Sequence, residues 1–124
     1  MNRPAMVDLC LELLAPLGDV RARRMFGGWG LWAGDVFVAL VLNDQLYLKT
    51  RPETTEAFAA AGCQPFTYSA KGRTVSIGFW SAPAEAMESP ALMEPWARLA
   101  LKAALAARGA TAPRRRRRAL TTAP

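Results

Sequence analysis

The 124-residue sequence contains no histidine. That removes the commonest general base, the commonest metal ligand, and both the Ser-His and Cys-His nucleophile pairs. Cysteine is nearly absent as well. Cys10 and Cys63, 2 in all, are too few and too far apart for a disulfide framework or a cysteine zinc site. No apolar run nears the roughly 20 residues that cross a bilayer. Asp8 and Glu12 interrupt the apolar core that a signal peptide would need. These absences lead us to expect a reduced, cytoplasmic protein with no membrane contact, no metal, no other cofactor and no catalytic residues. Glutamate–lysine or serine–lysine chemistry stays formally open, but no spacing marks out such a pair, so a small-molecule enzyme is the least favoured class.

What is present suits one globular domain. Hydrophobic residues make up 52% and aromatics 9%, enough for a core in a chain too short for two ordinary domains. The chain holds 16 Lys and Arg against 10 Asp and Glu, a net charge of +6. Five of those cations are consecutive, Arg114, Arg115, Arg116, Arg117 and Arg118, so the residues before 109 are close to neutral. The alkaline pI therefore belongs to the tail. We expect a folded domain over residues 1–108 and a disordered Arg-rich tail over 109–124, whose composition cannot bury enough apolar area to order itself.

The centre of the pattern is the run at 23–32, with Arg23, Arg24, Phe26, Gly27, Gly28, Trp29, Gly30 and Trp32. Glycines so close together in a strand-like stretch point to a bulge, a positive-φ turn or a close backbone approach. Gly27 and Gly30 have G-x-x-G spacing, but the Gly-Lys-Ser/Thr of a phosphate loop and the longer glycine series of a dinucleotide fold are both missing. The run reads as a bent first strand over 24–32 after a charged connection.

The rest alternates helices and strands. Residues 5–17 have helical periodicity through Met6, Leu9, Cys10, Leu13, Leu14 and Leu17. The apolar run 36–42 predicts a strand covered on both faces, and 45–49 one with Leu46 and Leu48 on one face and Tyr47 and Lys49 on the other. Turns fall at 33–35 and 43–44. A helix is predicted over 52–61, stopped by Gly62, then strands over 66–69 and 74–80. Ser89 before Pro90 resembles a helix start. Pro95 predicts a break, with the main helix over 94–107. Leu92, Trp96, Leu99 and Ala103 line one face of it. Leu101 and Leu105 either widen that buried face, the favoured option, or form a self-association patch, which leaves a monomer or a weak homodimer. The fold class is α+β: an antiparallel sheet of about five strands with N- and C-terminal helices packed on it.

The order of motifs resembles the TfoX/Sxy N-terminal domain family. The resemblance runs through 24–32, 36–42 and 46–49, then Ala61-Gly62, Pro65-Phe66-Thr67-Tyr68, Lys71-Gly72-Arg73, 75–80, Pro83 and Trp96-Ala97-Arg98, covering about residues 20–105. It implies a small α+β domain associated with regulators of natural competence, which act as transcriptional coactivators with the cyclic-AMP receptor protein. It supplies no catalytic residues. Those regulators carry a second, helical domain after this one, where the present chain is expected to carry only its arginine tail.

A non-enzymatic regulatory or protein-interaction module follows, with a protein partner of unknown identity and a contact surface at the residues of the 23–32 run. The alternative is nonspecific DNA or RNA binding through Arg114 to Arg118, aided by Lys71 and Arg73 at a hairpin tip. Backbone phosphate contacts of that kind carry no base information.

Overall fold

Six strands, where the sequence predicts about five, form one antiparallel sheet in the order β1-β2-β3-β4-β6-β5. The structure, a computed structural model, describes residues 3–25 and 27–122, the side chains of 68–70, 74–76 and 109–122 excepted. The strands are β1 (Val20–Met25), β2 (Gly28–Ala33), β3 (Val36–Leu42), β4 (Gln45–Lys49), β5 (Pro65–Ala70) and β6 (Arg73–Ser81). The helices are α1 (Ala5–Leu13), α2 (Thr55–Ala60) and α3 (Pro90–Thr122), with 3-10 turns at Ala15–Leu17 and Ala84–Glu88.

The additional strand is β1. The sequence reading treats residues 19–24 as a connection and 24–32 as one bent strand; instead Met25 pairs with Gly28 and the chain reverses there into a hairpin. Val20 and Ala22 are the only apolar residues that β1 turns toward the core, and Arg21, Arg23 and Arg24 are exposed. So little apolar alternation gives a weak strand signal. Arginines on an edge strand also discourage pairing with another chain.

The first four strands form a meander, and the β5–β6 hairpin then folds back so that β6 pairs with β4. Asn43 and Asp44 both take positive φ, 50° and 61°, the backbone of a type I′ hairpin turn. α1 and α3 lie on one face of the sheet, where Val7, Cys10, Leu13, Leu31, Val38, Val41, Leu46, Leu48, Met93 and Ala100 make the core. Both helical faces keep most of the predicted residues: Met6, Cys10, Leu13, Leu14 and Leu17 of the first, and Trp96, Leu99, Leu101 and Ala103 of α3, are buried or packed on the core, while Leu9, Leu92 and Leu105 turn out to solvent. On α1 the buried residues are Val7, Cys10 and Leu13, and Leu9 is exposed. On α3 they are Met93, Ala97, Ala100, Ala103 and Ala104, whereas Leu92 and Leu105 are 44% and 48% exposed. Alanines let the helix axis approach the sheet, so small residues take the seam and leucines flank it. Hydrophobicity alone ranks them the other way.

α3 also starts earlier than predicted. The Ser89 hydroxyl accepts a hydrogen bond from the Leu92 N–H at 3.1 Å, a true N-cap. The helix continues through Pro95, which is exposed and removes one backbone bond near the start. Ser89→Ala is expected to cost about 1 kcal/mol in chemical denaturation; an unchanged midpoint would show that the cap contributes nothing. At the other end the α3 backbone is helical to Thr122, past the predicted stop near 107. Alanine and arginine are good helix formers, and extending a helix is far easier than nucleating one.

A cation-bounded aromatic face and the cavity at its edge

The face of the sheet opposite α1 and α3 is built by register. Directly opposed residues in an antiparallel pair share a face. Arg24 opposes Trp29, and Ala22 opposes Leu31; Trp29 and Leu31 pack on the core, so this set lies on the helix side. Arg23 opposes Gly30, and Arg21 opposes Trp32, on the outer side. The expected contact surface is therefore divided. Arg23, Gly28, Gly30 and Trp32 belong to the outer face, Arg24 and Trp29 to the helix face, and exposed Gly27 to the turn, while Phe26 lies outside the described residues.

Two glycines in this run answer to close packing. A Cβ on Gly28 would collide with the Val41 carbonyl oxygen and the Leu42 side chain. One on Gly30 would collide with the Met25 thioether and come within 3.1 Å of the Phe37 ring.

A bulge then sets the aromatics. The β2–β3 register shifts between Leu31 and Trp32, so Val38 has no partner, and Trp32 opposes Phe37. Those rings stack with centroids 4.9 Å apart and planes 20° apart, and Phe37 leads on to Phe79 at 5.2 Å. The row is closed by a cation at each end: the Arg23 guanidinium lies 5.2 Å from the Trp32 centroid and Lys49 Nζ 4.9 Å from that of Phe79. Such contacts favour a cation over the negative ring face. The Trp32 ring thus already carries Phe37 and Arg23, which works against its use as a stacking platform for bases.

Lys49 is half-buried. Its ammonium sits beside Gly78, 3.5 Å from where a Cβ would stand, and Gly78 itself has φ +80°. Burial lowers the Lys49 pKa below the ordinary lysine value. No hydrogen bond or ion pair reaches the ammonium from the described residues.

At this end of the sheet a cavity of about 280 Å³ opens between Trp32, Asp35, Phe37, Lys49 and the α3 residues Ala104 and Arg108. Arg108 donates to both Asp35 carboxylate oxygens, at 2.6 and 2.8 Å. The Arg108 hydrogen bond, and then its positive charge, hold the Asp35 carboxyl below its usual range. A lowered carboxyl pKa means a contact present above the unfolded value and lost as the pH falls through the folded one. Arg108→Ala should raise the Asp35 midpoint back toward the ordinary carboxylate range, followed by carboxyl NMR; an unmoved midpoint would remove the pair from the cavity rim. Both side chains are well exposed, so their tether is worth little in stability and weakens with salt.

Sequence reasoning missed most of this site. Lys49 and Phe37 carry some signal, Lys49 through its position off the Leu46–Leu48 face. Asp35 with Arg108 carries none, being 73 residues apart. Lys71 and Arg73 are exposed at the β5–β6 turn, strands away from Arg23, and the side chains of Arg114 to Arg118 lie outside the described residues.

The remaining reactive groups are quiet. Burial pushes the Cys10 thiol up to about 12 and raises that of Cys63, leaving neither a ready thiolate. Among the described residues no three Cys, Asp or Glu side chains gather as a metal site, and no helix is long and apolar enough to cross a membrane.

Comparison with known proteins finds the sequence model of the TfoX N-terminal domain matching residues 12–104, well over half of the chain. The chain is also similar to the DNA transformation protein TfoX1 of Aliivibrio fischeri (strain ATCC 700601 / ES114), with 31% identity over 64 residues. That alignment covers 52% of this chain and 31% of the relative's length.

Proposed function

The chain belongs to the TfoX N-terminal domain family, and we propose that it is a non-enzymatic regulatory module acting through a protein partner. The observation that carries this reading is the outer sheet face, where no described helix packs and where exposed Arg23 and half-buried Trp32, Phe37 and Lys49 form one row over buried Phe79. Arginine and tryptophan are the residue types that most often anchor protein interfaces. The name of the Aliivibrio relative ties it to DNA transformation; a role for this chain in regulating competence, as a coactivator of transcription, is the finer form of the proposal. Cross-linking in the native cytoplasm, followed by mass spectrometry, tests it. One protein recovered with the wild-type chain and lost with Arg23→Glu is expected. Equal recovery by both forms, or no partner at all, overturns the face as the contact.

The arginine run supports a second reading, weak binding to nucleic acid. Five phosphate contacts would give a salt slope of roughly −4, or about a 10²-fold loss of affinity between 50 and 200 mM salt. The full chain with all five arginines changed to glutamine should lose that dependence; a slope unchanged by the substitution takes the tail out of the reading.

A further inference from the structure

We propose, resting on the reading of the outer sheet face as a protein contact, that the partner presents an acidic amphipathic helix to it. Carboxylates of that helix meet Arg23 and Lys49, and its apolar stripe covers the half-buried rings between them.

The charge of the sheet points to an acidic partner. None of the six strands contains an aspartate or glutamate, whereas Arg21, Arg23, Arg24, Lys49 and Arg73 all lie in them. Every Asp and Glu of the chain sits in a helix or a connection. Asp19 and Asp35, which flank β1 and β2, are already engaged, the first with Arg21 and the second with Arg108. Among the described residues no carboxylate reaches Arg23 or Lys49, and each has only a ring beside it. Face-to-face pairing with a second copy of the chain brings the same cations together, and like charges across an interface are disfavoured.

Shape points to a helix. β3 carries apolar side chains on both sides: Val38, Ala39 and Val41 belong to the core under the helices, while Phe37, Leu40 and Leu42 take the outer side, where Leu40 opposes Gly30 and Tyr47. Such a run suits a strand covered on both faces, and a described helix covers only one. A sheet face offers side chains and no backbone partners, so an extended peptide laid on these rings leaves its own N–H and C=O groups unmet. A helix satisfies its own. The backbones at Arg23 and Lys49 stand three strands apart, about 14 Å at the usual strand spacing. Carboxylates about two to three turns apart along one helix span that distance. Nucleic acid fits less well, because the rings of Trp32 and Phe37 are stacked on each other and two cations are few for a phosphate backbone.

The test is a titration of the full chain with three synthetic peptides of about 15 residues, held helical by a side-chain cross-link so that none pays for folding. All carry one stripe of leucine and phenylalanine at helical spacing; the flanking residues are all glutamate, all glutamine or all lysine. We expect the glutamate peptide to shift the Arg23, Trp32, Phe37 and Lys49 resonances saturably, with Kd on the order of 100 µM. The glutamine peptide should bind about fivefold more weakly or worse, the upper worth of an exposed ion pair, and the lysine peptide not at all. Arg23→Glu, at an exposed position, should narrow the gap between the glutamate and lysine peptides about tenfold or more. Lys49→Gln should weaken the glutamate peptide severalfold, and Arg23→Glu decides the matter if that variant does not fold. Absence of saturation by ~2 mM, equal affinity for the glutamine peptide, shifts confined to other surfaces, or a selectivity unchanged in Arg23→Glu overturns the acidic helix. So does a stronger response of the same resonances to single-stranded oligodeoxythymidine or to anionic phosphatidylglycerol vesicles, which assigns the face to nucleic acid or to membrane. The cross-linking comparison above separates the two failures: a partner still lost with Arg23→Glu leaves the face a protein contact whose partner is not acidic.

Discussion

Phe58→Ala is expected to lower the stability of the chain by about 3–5 kcal/mol, the range for emptying a fully buried aromatic site. Phe58 is 0% exposed and meets Trp96 of α3 edge-on, with centroids 5.0 Å apart. It is also the one buried residue of α2. Truncation therefore removes the transfer energy of the ring, opens a cavity against α3, and frees a short helix from its sole anchor. Short helices are marginal without tertiary contact, so α2 should exchange its amide hydrogens faster than the sheet does. Urea denaturation of wild type and variant measures the loss. Leu105→Ala is the internal control, because a residue 48% exposed should cost no more than about 0.5 kcal/mol. A Phe58→Ala loss as small as that would show that the ring is not part of the core.

Gly28→Ala should be the more damaging of two superficially equal substitutions, costing about 1–3 kcal/mol or more, while Gly30→Ala costs clearly less. The difference lies in what each new methyl meets. At Gly28 it meets the Val41 carbonyl oxygen, with Leu42 Cγ at 2.9 Å behind it. That oxygen belongs to the backbone of a central strand, so it moves only if the β2–β3 ladder moves. At Gly30 the first obstacle is the end of the Met25 side chain, which is unbranched and can swing away. Adding Met25→Ala should therefore recover much of the Gly30→Ala loss and none of the Gly28→Ala loss. A double-mutant cycle reads this coupling directly. Equal cost at both glycines, with no recovery, would mean that the sheet yields at 28 as easily as a side chain does at 30.

Local signals were legible where one residue type had one physical use. The Asn43-Asp44 turn, the run of β3, the alternation of β4, the Ser89 cap and the α+β class were all readable from the chain and appear in the fold. The motif order also pointed to the family that the comparison finds. Errors arose where packing overrode hydrophobicity. β1 was hidden because its residues in the core are only Val20 and Ala22, and Leu92 and Leu105 of α3 were expected in a seam that alanines take, because leucines outrank alanines in apolarity but not in closeness of approach.

The run at 23–32 separates the two sources of information. Composition and spacing by themselves determined that glycines there answer to close backbone or side-chain approach, and that no histidine accompanies them. Only the tertiary structure decided that the chain reverses between Met25 and Gly28, sending Arg23 and Trp32 to one face and Arg24 and Trp29 to the other. Period-2 alternation fixes which residues share a side of a strand, but a hairpin turn sets which strand they oppose. The row from Arg23 to Lys49, and the Asp35–Arg108 fork beside its cavity, depend on such long-range pairings. Their residues come together through register and helix docking, and no local pattern in the chain encodes that distance.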